Sequence, residues 1–218
     1  MIGDKLQARV LSTRILPNAD AALLESFGAA TDGSERSLGF FTCDSDDVAY
    51  TAIDEATKKA CVRVVYAKSM YAGAGNASTA LAGEFFGALA ADNPEDIRSA
   101  LDAAIACVSE DAAFYSANAG NSVCYFAHCI SSTGTYLSGV AGIRAGEPLA
   151  YLIAPPLEAM AGLDAALKAA DVRLCVFWGP PSETNFAGGL LTGEQAACRA
   201  ACNAFADAVC AIAAAPLC

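Results

Sequence analysis

Basic residues are scarce in this 218-residue chain: 13 Lys and Arg stand against 24 Asp and Glu, a formal charge of −11. So little positive surface cannot neutralise a phosphate backbone or an anionic bilayer, and nucleic-acid and membrane binding are excluded as function classes. Histidine occurs once, at His128, which removes every two-imidazole zinc signature and leaves one imidazole to activate a nucleophile. The chain has no CxxC pair, no GxSxG elbow and no GK[ST] phosphate loop. Long apolar runs are missing too. The longest uncharged stretch, between Asp111 and Arg144, is broken by Asn118, Asn121, His128 and many Ser, Thr and Gly, so it does not read as a membrane span. The first ten residues carry no apolar leader core. The expectation is a soluble, cytoplasmic protein.

What is abundant is small and apolar. The chain is 55% hydrophobic and 17% charged, and 50 of its residues are alanine, which predicts Ala-rich helices packed closely on sheets. Ten cysteines in a reducing compartment read mostly as small buried hydrophobes.

An internal repeat organises the chain. Residues 52–67 (AIDEATKKACVRVVYA) align without a gap to residues 162–177 (GLDAALKAADVRLCVF) at an offset of 110. The identical pairs are Asp54/Asp164, Ala56/Ala166, Lys58/Lys168, Ala60/Ala170, Val62/Val172 and Arg63/Arg173. Each copy reads as an amphipathic helix running into a β-branched strand, over residues 62–66 and 172–177. Upstream, residues 38–42 pair with 149–153 as an entering strand. A second helix follows in each half: one from Asn93 as N-cap with Pro94 at its first position, to about Val108, the other from Thr192 as N-cap to about Ala213. The fold class is α+β, in two domains, residues 1–113 and 114–218. Domains of that size bury modest cores, which fusion or oligomerisation supplements.

Chemically suggestive residues are few. His128 and Cys129 lie on a strand over residues 123–130, where alternation sends neighbours to opposite faces. Cys198 and Cys202 share a helix face, but without further ligands no metal site is expected. The glycines of residues 71–75 (YAGAG) read as a tight turn rather than a dinucleotide loop. The acidic run Cys43-Asp44-Ser45-Asp46-Asp47 stands where a strand enters the long helix. Asp44 or Ser45 there would cap the helix, with Asp46 and Asp47 against its positive end. Alternatively the carboxylates form a cation or amine site, with Glu84 as a third acid.

The D-x-A-x-K-x-A-x-V-R unit, present twice, resembles the bacterial microcompartment (BMC) shell domain. Together with residues 36–58 (RSLGFFTCDSDDVAYTAIDEATK), 151–172 (YLIAPPLEAMAGLDAALKAADV), 180–186 (PPSETNF) and 190–209 (LLTGEQAACRAACNAFADAV), it is similar to fused, circularly permuted BMC pairs of ethanolamine-utilisation shells. The resemblance covers residues 36–208 and leaves the first 35 unassigned. It implies a homotrimer forming a flat pseudohexameric tile, packed with other microcompartment shell proteins around the enzymes, with no catalytic residues and no catalytic cofactor. It also implies a gated central pore, with cobalamin as a large solute, and small pores that bind ethanolamine. The matching small-pore positions are Asp46, Asp47, Glu84, Phe114, Thr184, Asn185 and Phe186. Lys58 and Lys168, by themselves solvated helix lysines, become tiling residues at the disc edge. Two other readings remain: a soluble small-amine binding or sensor module, and a thiol enzyme using Cys129 or Cys198. The cysteines at 198, 202, 210 and 218 lie outside the motif.

Overall fold

Two copies of one seven-element unit account for most of the fold. The computed structural model describes residues 2–30, 32–71, 78–180 and 182–217; the glycines at 73 and 75, Pro181 and Cys218 lie outside them. The chain runs β1 (Lys5–Leu6), β2 (Val10–Leu16), α1 (Ala21–Ser26), β3 (Ser37–Cys43), α2 (Asp46–Lys59), β4 (Arg63–Ser69), β5 (Phe85–Ala91) and α3 (Pro94–Ala106). A π turn (Cys107–Asp111) then leads to β6 (Phe114–Ser116), β7 (Cys124–Ile130), α4 (Thr135–Ala141), β8 (Leu149–Ala154), α5 (Pro156–Ala169), β9 (Val172–Trp178), β10 (Ala187–Gly193) and α6 (Gln195–Ala214). One sheet has the order β2-β3-β5-β4, and the other contains β7-β8-β10-β9 with β6 and β1 added beyond β7. All pairings are antiparallel. The shared order makes β2 and α1 the counterparts of β7 and α4, so the repeat reaches back into the first 35 residues. Its signal is weak there because β2 is an edge strand with Ser12, Thr13 and Arg14 exposed, and only buried strands need an apolar pattern.

The expected boundary at 113/114 moves to 112/113, and two segments change sides. The first unit is Ala8–Ala112 with Gly134–Leu137, and the second takes residues 2–7, Ala113–Thr133 and 138–217. Residues 2–7 leave the first half because β1 pairs with β6, Lys5 opposite Tyr115 and Leu6 opposite Phe114.

In the first unit, alternate residues of β3 and β5 face α2 and α3, a Cβ at Gly39 meeting Ile97 and one at Gly87 meeting Ile53, and Phe41, Cys43, Phe85, Leu89, Val48, Ile53 and Ile97 are all essentially solvent-free. On the other face, Leu24 of α1 and Ala29 just beyond it pack with Leu38 and Ala90. Asn93 caps α3 as expected: its Oδ1 accepts from the N–H groups of Glu95 and Asp96 at 3.0 and 2.9 Å.

In the second unit α5 and α6 lie against β8 and β10 around Leu152, Leu163, Leu191, Phe205 and Val209. Close approach there depends on Gly162: a Cβ at this position would sit 2.6 Å from the Phe205 ring. Alanine content thus becomes close helix packing. The N-cap expected at Thr192 is not one. Residue 192 is still in β10, and its hydroxyl donates to the Pro148 carbonyl at 2.8 Å, so α6 starts later, with Glu194 at the cap position. Helix α6 is long and apolar enough to cross a membrane by length and composition alone, yet it buries Cys198, Ala201, Cys202, Phe205 and Val209 against its unit.

Candidate functional site

The start of α2 gathers acidic side chains at one end of the first unit's sheet. β3 delivers the chain into α2 at Cys43, and β5 begins opposite it, with Cys43 paired to Phe85 and Ser69 of β4 to the same residue. The Glu84 N–H donates to the Cys43 carbonyl at 2.8 Å, and the Met70 N–H to the Glu84 carbonyl at 2.7 Å. Three strand ends therefore meet the N-terminus of α2, where backbone N–H groups and the macrodipole favour anions.

Neither Asp44 nor Ser45 caps that helix. Ser45 holds the cap position with extended backbone and no side-chain bond. Asp44 turns to Arg9, accepting from its backbone N–H at 2.6 Å and its Nε at 3.1 Å. Asp46 and Asp47 fill the first turn and are only 7% and 6% exposed; Asp46 Oδ1 accepts from the Asp47 N–H at 2.9 Å. The Glu84 carboxyl is pushed up to about 7 by burial, with the charges of Asp46 and Asp44 adding. Burial also pushes the Tyr50 phenol up, and both Asp46 and Asp47 add to that. Tyr50 follows these carboxylates by one turn, its hydroxyl 2.9 Å from Ser69 Oγ and its ring edge-on to Phe85 at 4.9 Å. Tyr50 and Ser69 carry no motif; the spacing of Tyr50 from Asp46 and Asp47, four and three residues on one helix, is the signal that points to it.

The remaining small-pore candidates belong to the second unit. Phe114 and Phe186 meet at 5.5 Å. The segment carrying Thr184 and Asn185 is a closed turn: Ser182 N–H donates to the Phe186 carbonyl at 2.9 Å, Asn185 N–H to the Ser182 carbonyl at 3.1 Å, and Asn185 adopts φ 66°. The structure thus groups Asp46 with Asp47 and Glu84, and Phe114 with Phe186. Lys58 pairs with Glu55, and Lys168 with Asp164 at 2.6 Å.

Among the nine described cysteines only Cys43, Cys107, Cys198 and Cys202 are buried, so the expectation of core filler holds for four. Cys43 and Cys107 are both pushed up to about 12 by burial. Cys129 differs: a hydrogen bond from Cys202, with Arg199 nearby, draws its thiol down to about 7 against desolvation. Strand alternation separates it from His128 as expected, His128 stacking on Phe126 while Cys129 packs against the core under α6.

No family model matches the chain. It is 56% identical over 217 residues to the bacterial microcompartment shell protein EutL of Clostridium perfringens, which covers 100% of this chain and 99% of that relative. Among solved structures, the crystal structure of the ethanolamine utilization protein EutL from Leptotrichia buccalis matches with a TM-score of 0.96 and 59% identity, over 100% of this chain and 99% of that one. The trimeric bacterial microcompartment shell protein PduB shares the fold at a TM-score of 0.72 and 19% identity, over 90% and 85% of the two chains. With identity this high over its whole length, and with two permuted α+β repeats, the chain belongs to the EutL family of bacterial microcompartment shell proteins, structural proteins of the shell inside the bacterial cytoplasm.

Proposed function

We propose that this chain works as a homotrimeric tile with no turnover of its own, and that it takes up ethanolamine at the start of α2. The observation that carries the amine reading is the burial of Asp46 and Asp47 beside Glu84, whose carboxyl is pushed up to about 7 by its own burial, with the charges of Asp46 and Asp44 adding. Burying several carboxylates together is costly. The macrodipole offsets part of that cost, and an ammonium ion, with three donors and one positive charge, offsets more. Phe114, Thr184, Asn185 and Phe186 of the second unit are a separate candidate set for amine contact in this proposal. A central opening on the threefold axis serves larger solutes, cobalamin among them, and Lys58 and Lys168 stand at the tile edge.

Calorimetric titration of the full-length protein with ethanolamine tests the amine site. Uptake by the wild type, with ethanol giving none, and its loss in Asp46→Ala is the expected result; equal uptake by both proteins contradicts it.

A further inference from the structure

One stripe of α2 carries Asp47, Tyr50, Asp54 and Thr57 at successive steps of three or four residues, so the amine carboxylates continue into a second cluster two turns down the helix. Four residues that follow β7 in the chain, Gly134–Leu137, belong to the first unit and lie along this stripe. Asp54, 1% exposed, accepts from Gly134 N–H at Oδ2, 2.7 Å, and from Leu137 N–H at Oδ1, 2.8 Å. These are N–H groups at the start of α4, so a side chain from α2 serves as the N-cap of a different helix. Thr57 Oγ1 accepts from Thr135 N–H at 3.0 Å and donates to the Asp54 carbonyl at 2.7 Å. The fit admits no side chain at Gly134: a Cβ there would lie 2.2 Å from Thr57 Oγ1 and 2.4 Å from the Asp54 carbonyl oxygen. Between these bonds, Tyr136 stacks on Tyr50 at 6.1 Å and 10°.

Tyr50 is held from both sides. Tyr136 lies flat against it, while Ser69 and Phe85 fix it to the sheet end that carries Glu84. We propose that Gly134–Leu137 is a strap fastened to α2 by Asp54, and that through Tyr136 it sets Tyr50 as the floor of the amine site. Asp54 and Tyr136 are then positioning residues for a small ammonium ligand they do not touch. The proposal rests on the amine reading. It requires a carboxylate at position 54, because both oxygens accept; an amide would turn an NH2 donor toward one of the two N–H groups.

The test combines hydrogen exchange over residues 131–141 with ethanolamine titration of the full-length protein. Asp54→Asn is expected to speed amide exchange at residues 134–137 by about 100-fold and to weaken ethanolamine uptake by about tenfold. Tyr136→Ala is expected to weaken uptake similarly, while Tyr136→Phe, which keeps the stacked ring, matches the wild type; this pair serves if Asp54→Asn does not fold. Unchanged exchange in Asp54→Asn, or faster exchange with unchanged affinity, overturns the proposal. Absence of uptake by the wild type overturns the amine reading itself, and the affinity claim with it, whatever the exchange shows.

Discussion

Asp54 and Asp164 hold the same position in the two repeats and are used in opposite ways. Asp54 is buried and accepts two backbone N–H bonds from residues 134 and 137. Asp164 is 63% exposed and pairs with Lys168 one turn along the same helix. Removing a buried acceptor leaves its donors unsatisfied at about 1–3 kcal/mol each, whereas an exposed pair contributes about 0–1 kcal/mol. Asp54→Ala is therefore expected to cost several times what Asp164→Ala costs in urea unfolding. Equal losses would show that the strap bonds contribute nothing.

Packing of α5 on α6 depends on the missing Cβ of Gly162, over the Phe205 ring. Gly162→Ala is expected to lower stability by about 1–3 kcal/mol through overpacking. Gly139→Ala, where nothing lies within 4 Å of the added Cβ, removes a helix glycine and raises stability by up to about 1 kcal/mol. Thermal unfolding of the two variants checks the contrast.

The pH dependence of stability follows from Glu84. Its carboxyl sits at about 7 in the fold against an ordinary 4.5, so the folded protein holds this proton more tightly than the unfolded chain. The contribution is fully present below pH 4.5 and is lost as pH rises through 7. Glu84→Gln, which cannot ionise, is expected to match the wild type near pH 5 and to melt about 2–4 °C higher at pH 8, the shift that about 1 kcal/mol gives in a chain of this size. Ethanolamine should narrow that gap by raising the wild type alone.

Cys129 is expected to be alkylated near neutral pH well before Cys43 and Cys107, which stay protonated and buried. Cys202→Ala removes its hydrogen-bond donor and should move the pH midpoint of Cys129 labelling upward. Mass spectrometry of a labelling time course reads both.

Much of this architecture is legible in the sequence because buried repeats keep their pattern. The helix-strand unit at residues 52–67 and 162–177 stands out since α2 and α5 each press a face into a core, Ala52, Ile53 and Ala56 in one and Gly162, Leu163 and Ala166 in the other. Asn93 and Pro94 announce α3 because capping chemistry is local. The pairing of β1 with β6, the strap at Gly134–Leu137 and the role of Asp54 are not legible, because each joins residues far apart in the chain and leaves no periodic trace. Asp46, Asp47 and Glu84 are visible as an acidic set, while Tyr50 is marked in the sequence only by its helical spacing from Asp46 and Asp47 and gains its partners once β4 and β5 bring Ser69 and Phe85 against it. Thr192 shows the converse: a favourable cap residue is retained by a strand because its hydroxyl finds Pro148 first.

Light scattering with electron microscopy of the purified protein in reducing buffer decides whether this chain is a tile. A solution mass of three chains, growing into flat sheets at high concentration, is the predicted result, with Lys58→Ala and Lys168→Ala together abolishing the sheets while the trimer persists. A stable monomer that forms no sheets at any concentration would contradict it and leave a soluble amine-binding module in its place.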